Sequence, residues 1–195
     1  MKKNICLAFT LVVSVIMILT GCGEKNLYTL KATITDGTDA TYRLIAYTPR
    51  GPEMKLLASR KGIFEFQDTL SVPVMVEVLA NDYTSLGLYW AEAGEEINIT
   101  IDPKNPGGFE VSGTEINNRL GDWLKTNKEI IGGGPSEKLN QAIAEYVGEH
   151  PDDPVSTMLM VAKWDSSIDP DETLKIWNQI DKSVRPAYIG GDILS

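Results

Sequence analysis

The sequence predicts an α+β fold, an antiparallel β-sandwich followed by a small helical module, behind an N-terminal lipoprotein signal peptide. Three observations carry this. Residues 27–112 are short alternating apolar segments closed by Gly, Pro, Asn or Asp clusters, and strands at roughly ten-residue spacing are the mark of a sandwich or barrel. After Gly113 the apolar period lengthens to that of amphipathic helices. Ahead of both, Lys2 and Lys3 precede an apolar run from Ile5 to Leu19, which ends in the box Leu19-Thr20-Gly21-Cys22. The expected division is a signal peptide over 1–21, a sandwich over 22–112 and a helical module over 113–195.

Taken in order, the charged-then-apolar leader is that of a secretory signal. Its run of roughly 15 residues falls short of the about 20 that span a bilayer. Cys22 then becomes the lipidated first residue of the mature chain. Leu27, Thr29, Ala32 and Ile34 open the strand region, and Tyr42, Leu44 and Ala46 follow the turn Asp36-Gly37-Thr38-Asp39. Thr48-Pro49-Arg50-Gly51-Pro52 cannot be the middle of a strand. Further strands are expected at Met54 to Ser59, Ile63 to Gln67, Val74 to Ala80, Leu86 to Ala91, Ile97 to Ile101 and around Phe109 and Val111.

The first helix carries Ile116, Leu120, Trp123, Leu124 and Ile131 behind a Thr114 cap, and Gly132-Gly133-Gly134-Pro135 stops it. Ser136 is then expected to cap a second helix with Leu139, Ile143, Tyr146 and Val147 inward. Asp153-Pro154 and Asp169-Pro170 start two more, with aspartate as cap and proline in the first turn. Val155, Met158, Leu159 and Ala162 form the stripe of one, and Leu174, Trp177 and Ile180 that of the other.

Charge and cysteine usage exclude several chemistries. The formal charge of −9 becomes −11 once Lys2 and Lys3 leave with the signal, so phosphate backbones are repelled and nucleic acid is not an expected partner. The two cysteines are Cys6, inside the signal, and Cys22, whose sulfur takes the lipid. No thiol then remains for disulfide exchange, nucleophilic attack or a thiolate metal site. No cofactor, no metal site and no catalytic residue are expected, and the chain reads as not an enzyme.

Each remaining candidate has a plain structural reading. His150 is the single histidine and, with Pro151 behind it, suits a corner between helices; a metal site needs several converging ligands. Glu95 and Glu96 are neighbours along a strand and point to opposite faces. Asp152, Asp153, Asp169, Asp171 and Glu172 stand where helices start, where carboxylates satisfy orphan N–H groups. Gly132 to Lys138 lacks the ending of a phosphate-binding loop and reads as a connector. Tyr83 to Trp90 is the best surface candidate: with Leu86, Leu88 and Trp90 inward, Tyr89 faces out and Tyr83 lies in the turn before. Outward aromatics stack on sugars or anchor partner proteins; ordinary core and rim packing is the alternative.

Where sandwich meets helix, Val111-Ser112-Gly113-Thr114-Glu115-Ile116-Asn117 resembles the N-terminal domain of unknown function carried by thioredoxin-like (TlpA/ResA-type) disulfide oxidoreductase lipoproteins of Gram-negative gut bacteria. Gly62-Ile63-Phe64-Glu65-Phe66, the stretch Glu92 to Ile99, and His150-Pro151-Asp152-Asp153-Pro154-Val155-Ser156 agree with it. In that family the helical segment leads into a thioredoxin fold with Trp-Cys-x-x-Cys. Here the sequence ends at Ser195, just after Arg185-Pro186-Ala187-Tyr188, and no position matches the family's catalytic residues. The resemblance implies an accessory module without its enzyme. The resulting expectation is a non-catalytic cell-envelope lipoprotein, held in a membrane (the outer membrane first) through Cys22. It would bind an envelope protein, with a thioredoxin-like reductase as one partner class. The alternatives are a glycan or small-ligand binder using Tyr83 and Tyr89, and a truncated reductase.

Overall fold

Alternation along the strands decides how the chain closes. The structure, a computed structural model, describes residues 26–105 and 108–185. The expected signal peptide, Cys22 and residues 186–195 lie outside the described residues. Eight strands are seen: β1 (Leu27–Ile34), β2 (Thr41–Thr48), β3 (Gly51–Ala58), β4 (Ile63–Thr69), β5 (Val74–Leu79), β6 (Ser85–Ala91), β7 (Glu96–Ile101) and β8 (Glu110–Ser112). They form two four-stranded sheets, ordered β4-β1-β7-β8 and β3-β2-β5-β6. Leu30, Ala32 and Ile34 of β1 and Ile97, Ile99 and Ile101 of β7 are all buried. They lie side by side, Leu30 next to Ile97 and Ile34 next to Ile101.

That β1–β7 pair is parallel, whereas all other neighbours in the sheets are antiparallel. The exception has a simple cause. Between β1 and β7 the chain builds the whole of the other sheet and also β4, then returns to the end where β1 began, the long crossover a parallel pair requires. A second difference is that Gly51 and Pro52, expected to lie in a turn, start β3. An edge strand admits proline because one of its sides has no ladder to break.

Five helices follow: α1 (Glu115–Thr126), α2 (Lys128–Ile131), α3 (Ser136–Glu149), α4 (Pro154–Ala162) and α5 (Pro170–Trp177). Thr114, Asp153 and Asp169 cap α1, α4 and α5 through their side chains. The single helix expected to reach Ile131 instead breaks at Asn127, whose backbone N–H and side-chain amide both donate to the Trp123 carbonyl at 3.0 Å. Ser136 is not a cap either. It is the first residue of α3, Pro135 holds the capping position without a side-chain bond, and the Ser136 hydroxyl serves the Asp165 carboxylate. On α5 the inward residues are Thr173, Ile176 and Trp177, with Leu174 turned outward.

The helices cover the outer face of the second sheet at its β6 edge, where α1 and α4 lie against the strand. Residues Val155 to Met160 of α4 are all buried, as expected of a helix enclosed on every side. One hydrophobic core runs from Tyr28 in β1 through Trp123 in α1 to Ile180 beyond α5.

Two residues fix the junction. Gly113 has φ +111, and a Cβ there would sit 2.3 Å from the Glu96 carbonyl oxygen, so no other residue fits between β7 and α1. Asn117, fully buried, accepts the Trp90 N–H at 2.8 Å and donates to the Trp90 carbonyl at 2.7 Å. Its side-chain amide thus completes the ladder along β6, an edge strand that would otherwise leave backbone groups unpaired beneath a helix.

Candidate functional site

The expected outward tyrosine of β6 points inward. Tyr89 has no exposed surface, and its hydroxyl meets that of Tyr28 from the opposite sheet at 3.4 Å. Gly87, two residues before, is pressed so closely on Phe109 that an added Cβ would lie 2.8 Å from the ring. Gly87, Tyr89 and Ala91 therefore form the interior side of β6, and Leu86, Leu88 and Trp90 the opposite side. The assignment inverts because helices cover that opposite side, so both parities are apolar and buried. Burial pushes the Tyr89 hydroxyl well above its ordinary pKa and that of Tyr28 up to about 12. Tyr89 is a core residue, not a contact.

Tyr83 does stand at the surface. It is 59% exposed, in the β5–β6 turn, with its N–H donated to the Ala80 carbonyl and φ at +68. A bulky side chain in the left-handed region is costly and persists where surrounding structure enforces it. Here the Arg43 guanidinium lies over its ring at 4.4 Å. Arg43 also donates to the Asn81 carbonyl at 2.7 Å and to the Asn81 side-chain oxygen at 2.8 Å, which clamps the turn against β2. Beside this pair lies a depression of about 720 Å³, with Asp36 and Thr38 from the β1–β2 loop and Asn81, Asp82 and Thr84 from the turn among its lining residues.

Exposed apolar side chains continue outward from Arg43 along the same face. Leu56 pairs with Arg43 and Met54 with Ile45 across β3 and β2, and they are 63% and 52% exposed. The other sheet presents Thr29, Lys31, Thr33, Glu96 and Asn98 outward, with Lys31 paired to Glu96 at 2.8 Å.

The other candidates take structural places. His150 ends α3, its ring 4.6 Å from that of Tyr146. Asp153 caps α4, accepts from Arg119 at 2.7 Å and from the Tyr146 hydroxyl at 3.1 Å. Glu96 begins β7, while Glu95 lies in the turn before it; burial and the neighbouring Glu92 push its carboxyl pKa up, and one of its oxygens is enclosed without a partner. Among the described residues no three His, Cys, Asp or Glu side chains gather as a metal site, and no helix is long and apolar enough to cross a membrane.

No family model matches the chain, and no curated protein matches it. Among solved structures, a candidate cell adhesion protein from Bacteroides ovatus is similar at 16% identity with a TM-score of 0.27. The similarity covers 47% of this chain and 44% of that one.

Proposed function

We propose that the chain is a non-catalytic envelope lipoprotein, a binding module tethered through Cys22, and that Arg43 and Tyr83 are the centre of its contact with a protein partner. The observation that carries the reading is the exposed tyrosine kept at positive φ over a guanidinium. Tyrosine and arginine dominate the energetics of protein interfaces, and a strained backbone that presents one points to use rather than to packing. Ile45, Met54 and Leu56 extend the surface with apolar area. Tethering near a membrane raises the effective concentration of partner and module without tight affinity. A thioredoxin-like reductase is the partner class that the sequence resemblance implies.

A glycan ligand is the second reading, favoured by the hydroxyl, amide and carboxylate groups of Thr38, Asn81, Asp82 and Thr84 beside an aromatic ring. Tyr83→Gly separates function from fold. Glycine adopts φ +68 freely, so the melting temperature is expected to stay level or rise, while crosslinking to the envelope partner in intact cells falls several-fold. A reproducible crosslink unaffected by Tyr83→Gly and Arg43→Ala would sink the assigned contact. A saturable hit on a glycan array that Tyr83→Gly removes, with no protein crosslinked, would put the second reading in its place. The anchor has its own check: Cys22→Ser is expected to abolish fatty-acid labelling and leave unprocessed precursor, and normal labelling in that variant refutes it.

A further inference from the structure

The end of the sandwich opposite Tyr83 is where the chain arrives from Cys22. The Asn26 carbonyl accepts the Leu70 N–H at 2.8 Å, and the Leu27 carbonyl accepts the Gly94 N–H at 2.7 Å. From there β1 runs eight residues, about 26 Å at roughly 3.3 Å each, to the loops around Asp36. Gly23 to Asn26 add at most about 14 Å between Cys22 and the first strand. A lipid on Cys22 therefore holds the Leu70 end against the bilayer and turns Tyr83 away from it.

At that end the two sheets part. Near the far end the gap is filled by Tyr42 stacked on Phe64, ring centres 5.6 Å apart. Near the tether Tyr28 and Tyr89 fill the gap toward β6, but the inward positions of β2 and β5 are small, Ala46, Val74 and Val76, and the edge strands turn Glu53, Lys55 and Asp68 inward. The result is a pocket of about 370 Å³, floored by the buried Leu44, Val76 and Tyr28 and walled by the partly exposed Ala46 on one side and Phe66 on the other. Its rim includes Leu70, Val72 and Arg50. Val72 is 42% exposed and the Arg50 side chain 87%. The Lys55–Asp68 ion pair crosses the gap between the sheet edges, and the Lys55 ammonium lies 5.4 Å from the Phe66 ring centre.

We propose that this pocket is a lipid site, taking one acyl chain of a bilayer phospholipid between the sheets with its headgroup at Arg50 and the Lys55–Asp68 pair. The proposal rests on the anchor reading, because Cys22 is what sets the mouth against the membrane. Apolar walls of this volume with a few converging polar groups suit a small amphiphile. An apolar rim carrying an arginine suits the boundary between acyl chains and phosphate. Glu53 and Asp68 offset Arg50 and Lys55, which favours a zwitterionic headgroup over a strongly anionic one.

The test uses the full-length protein in phosphatidylethanolamine nanodiscs that contain a trace of phosphatidylethanolamine with a diazirine on its acyl chain. After irradiation and digestion, label is expected on residues 44–49 and 66–76 and not on residues 36–40 or 81–84. Ala46→Phe places a ring in the pocket and is expected to reduce that label several-fold. Val72→Asp, at an exposed position outside the core, should do the same without risk to folding. Equal label at both ends, or label indifferent to both substitutions, overturns the site. Label that appears only in Cys22→Ser protein puts the protein's own acyl chain in the pocket and overturns the bilayer source. The same digest reads the mass of the Cys22 peptide. An unlipidated cysteine, which sinks the anchor reading, is thus told apart from a lipidated protein with an unlabelled pocket, which sinks this one.

Discussion

Trp123→Ala is expected to destabilise the fold by about 3–5 kcal/mol, the cost of removing a large aromatic from a packed core. Trp123 is 9% exposed and shares its stripe on α1 with Leu120 and Leu124. That helix meets β6, β8 and α4 together, so a void at Trp123 opens where sandwich and helices share one core. The fall in melting temperature should be roughly 6–20 °C for a domain of this size. Circular dichroism on heating measures it, and a midpoint unchanged within a degree or two would mean that the α1 face carries no packing.

The second large effect is expected at Asp153. Its carboxylate caps α4 at the Val155 N–H, 3.0 Å away, and receives Arg119 through two nitrogens at 2.7 and 3.2 Å. Burial alone would push its pKa up. The Arg119 guanidinium, the Val155 N–H and the Tyr146 hydroxyl outweigh that and hold it below the ordinary carboxylate value. Asp153→Ala removes the cap and the better enclosed of the two carboxylates on Arg119, which keeps Glu115 at 2.9 Å. Losing the cap costs about 1 kcal/mol and losing a charged hydrogen-bond partner about 1.5–3 kcal/mol, with the lower end applying because the Arg119 side chain is 38% exposed, so a loss of about 2–3 kcal/mol is expected. The sign with pH follows from the lowered pKa: the contribution is present above the unfolded carboxylate value near about 3.9 and is lost as pH falls through the lower folded value. Denaturant titrations should therefore show wild type and variant well apart at pH 7 and converging below about pH 4. A gap that stays constant down to pH 2.5 would show that the charge of Asp153 contributes nothing.

Strand positions were legible from short apolar segments between turns, although β1 was read through Leu27 and Thr29 where its buried side is Tyr28, Leu30, Ala32 and Ile34. Alternation failed on β6, where Leu86-Gly87-Leu88-Tyr89-Trp90-Ala91 is apolar on both parities and periodicity cannot choose a side. What chooses is Gly87, whose missing side chain makes room for Phe109, a contact between residues far apart in sequence. Tyr83 could be picked out as an aromatic in a turn. Arg43 could not, since only the pairing of β2 with β5 brings it beside that turn. Asn117 reads in a helix as an ordinary polar surface position, and nothing local tells that its amide completes a strand ladder. The helix starts were the easiest, because Thr114, Asp153 and Asp169 act within their own few residues.

The parallel pairing of β1 with β7 bears on how the molecule is made. Leu27–Ile34 comes first along the chain, and β4 can pair with one side of it after β2 and β3 alone. The other side stays an open edge until Glu96–Ile101 reaches it, and all of the β3-β2-β5-β6 sheet lies between the two in sequence. Closing so long a loop is slow, since its entropy is lost before the contact rewards it. The β4–β1 ribbon must wait with one flank unpaired, the state in which strands join the wrong neighbour. The slow step of folding is thus expected to be the docking of the seventh strand on β1.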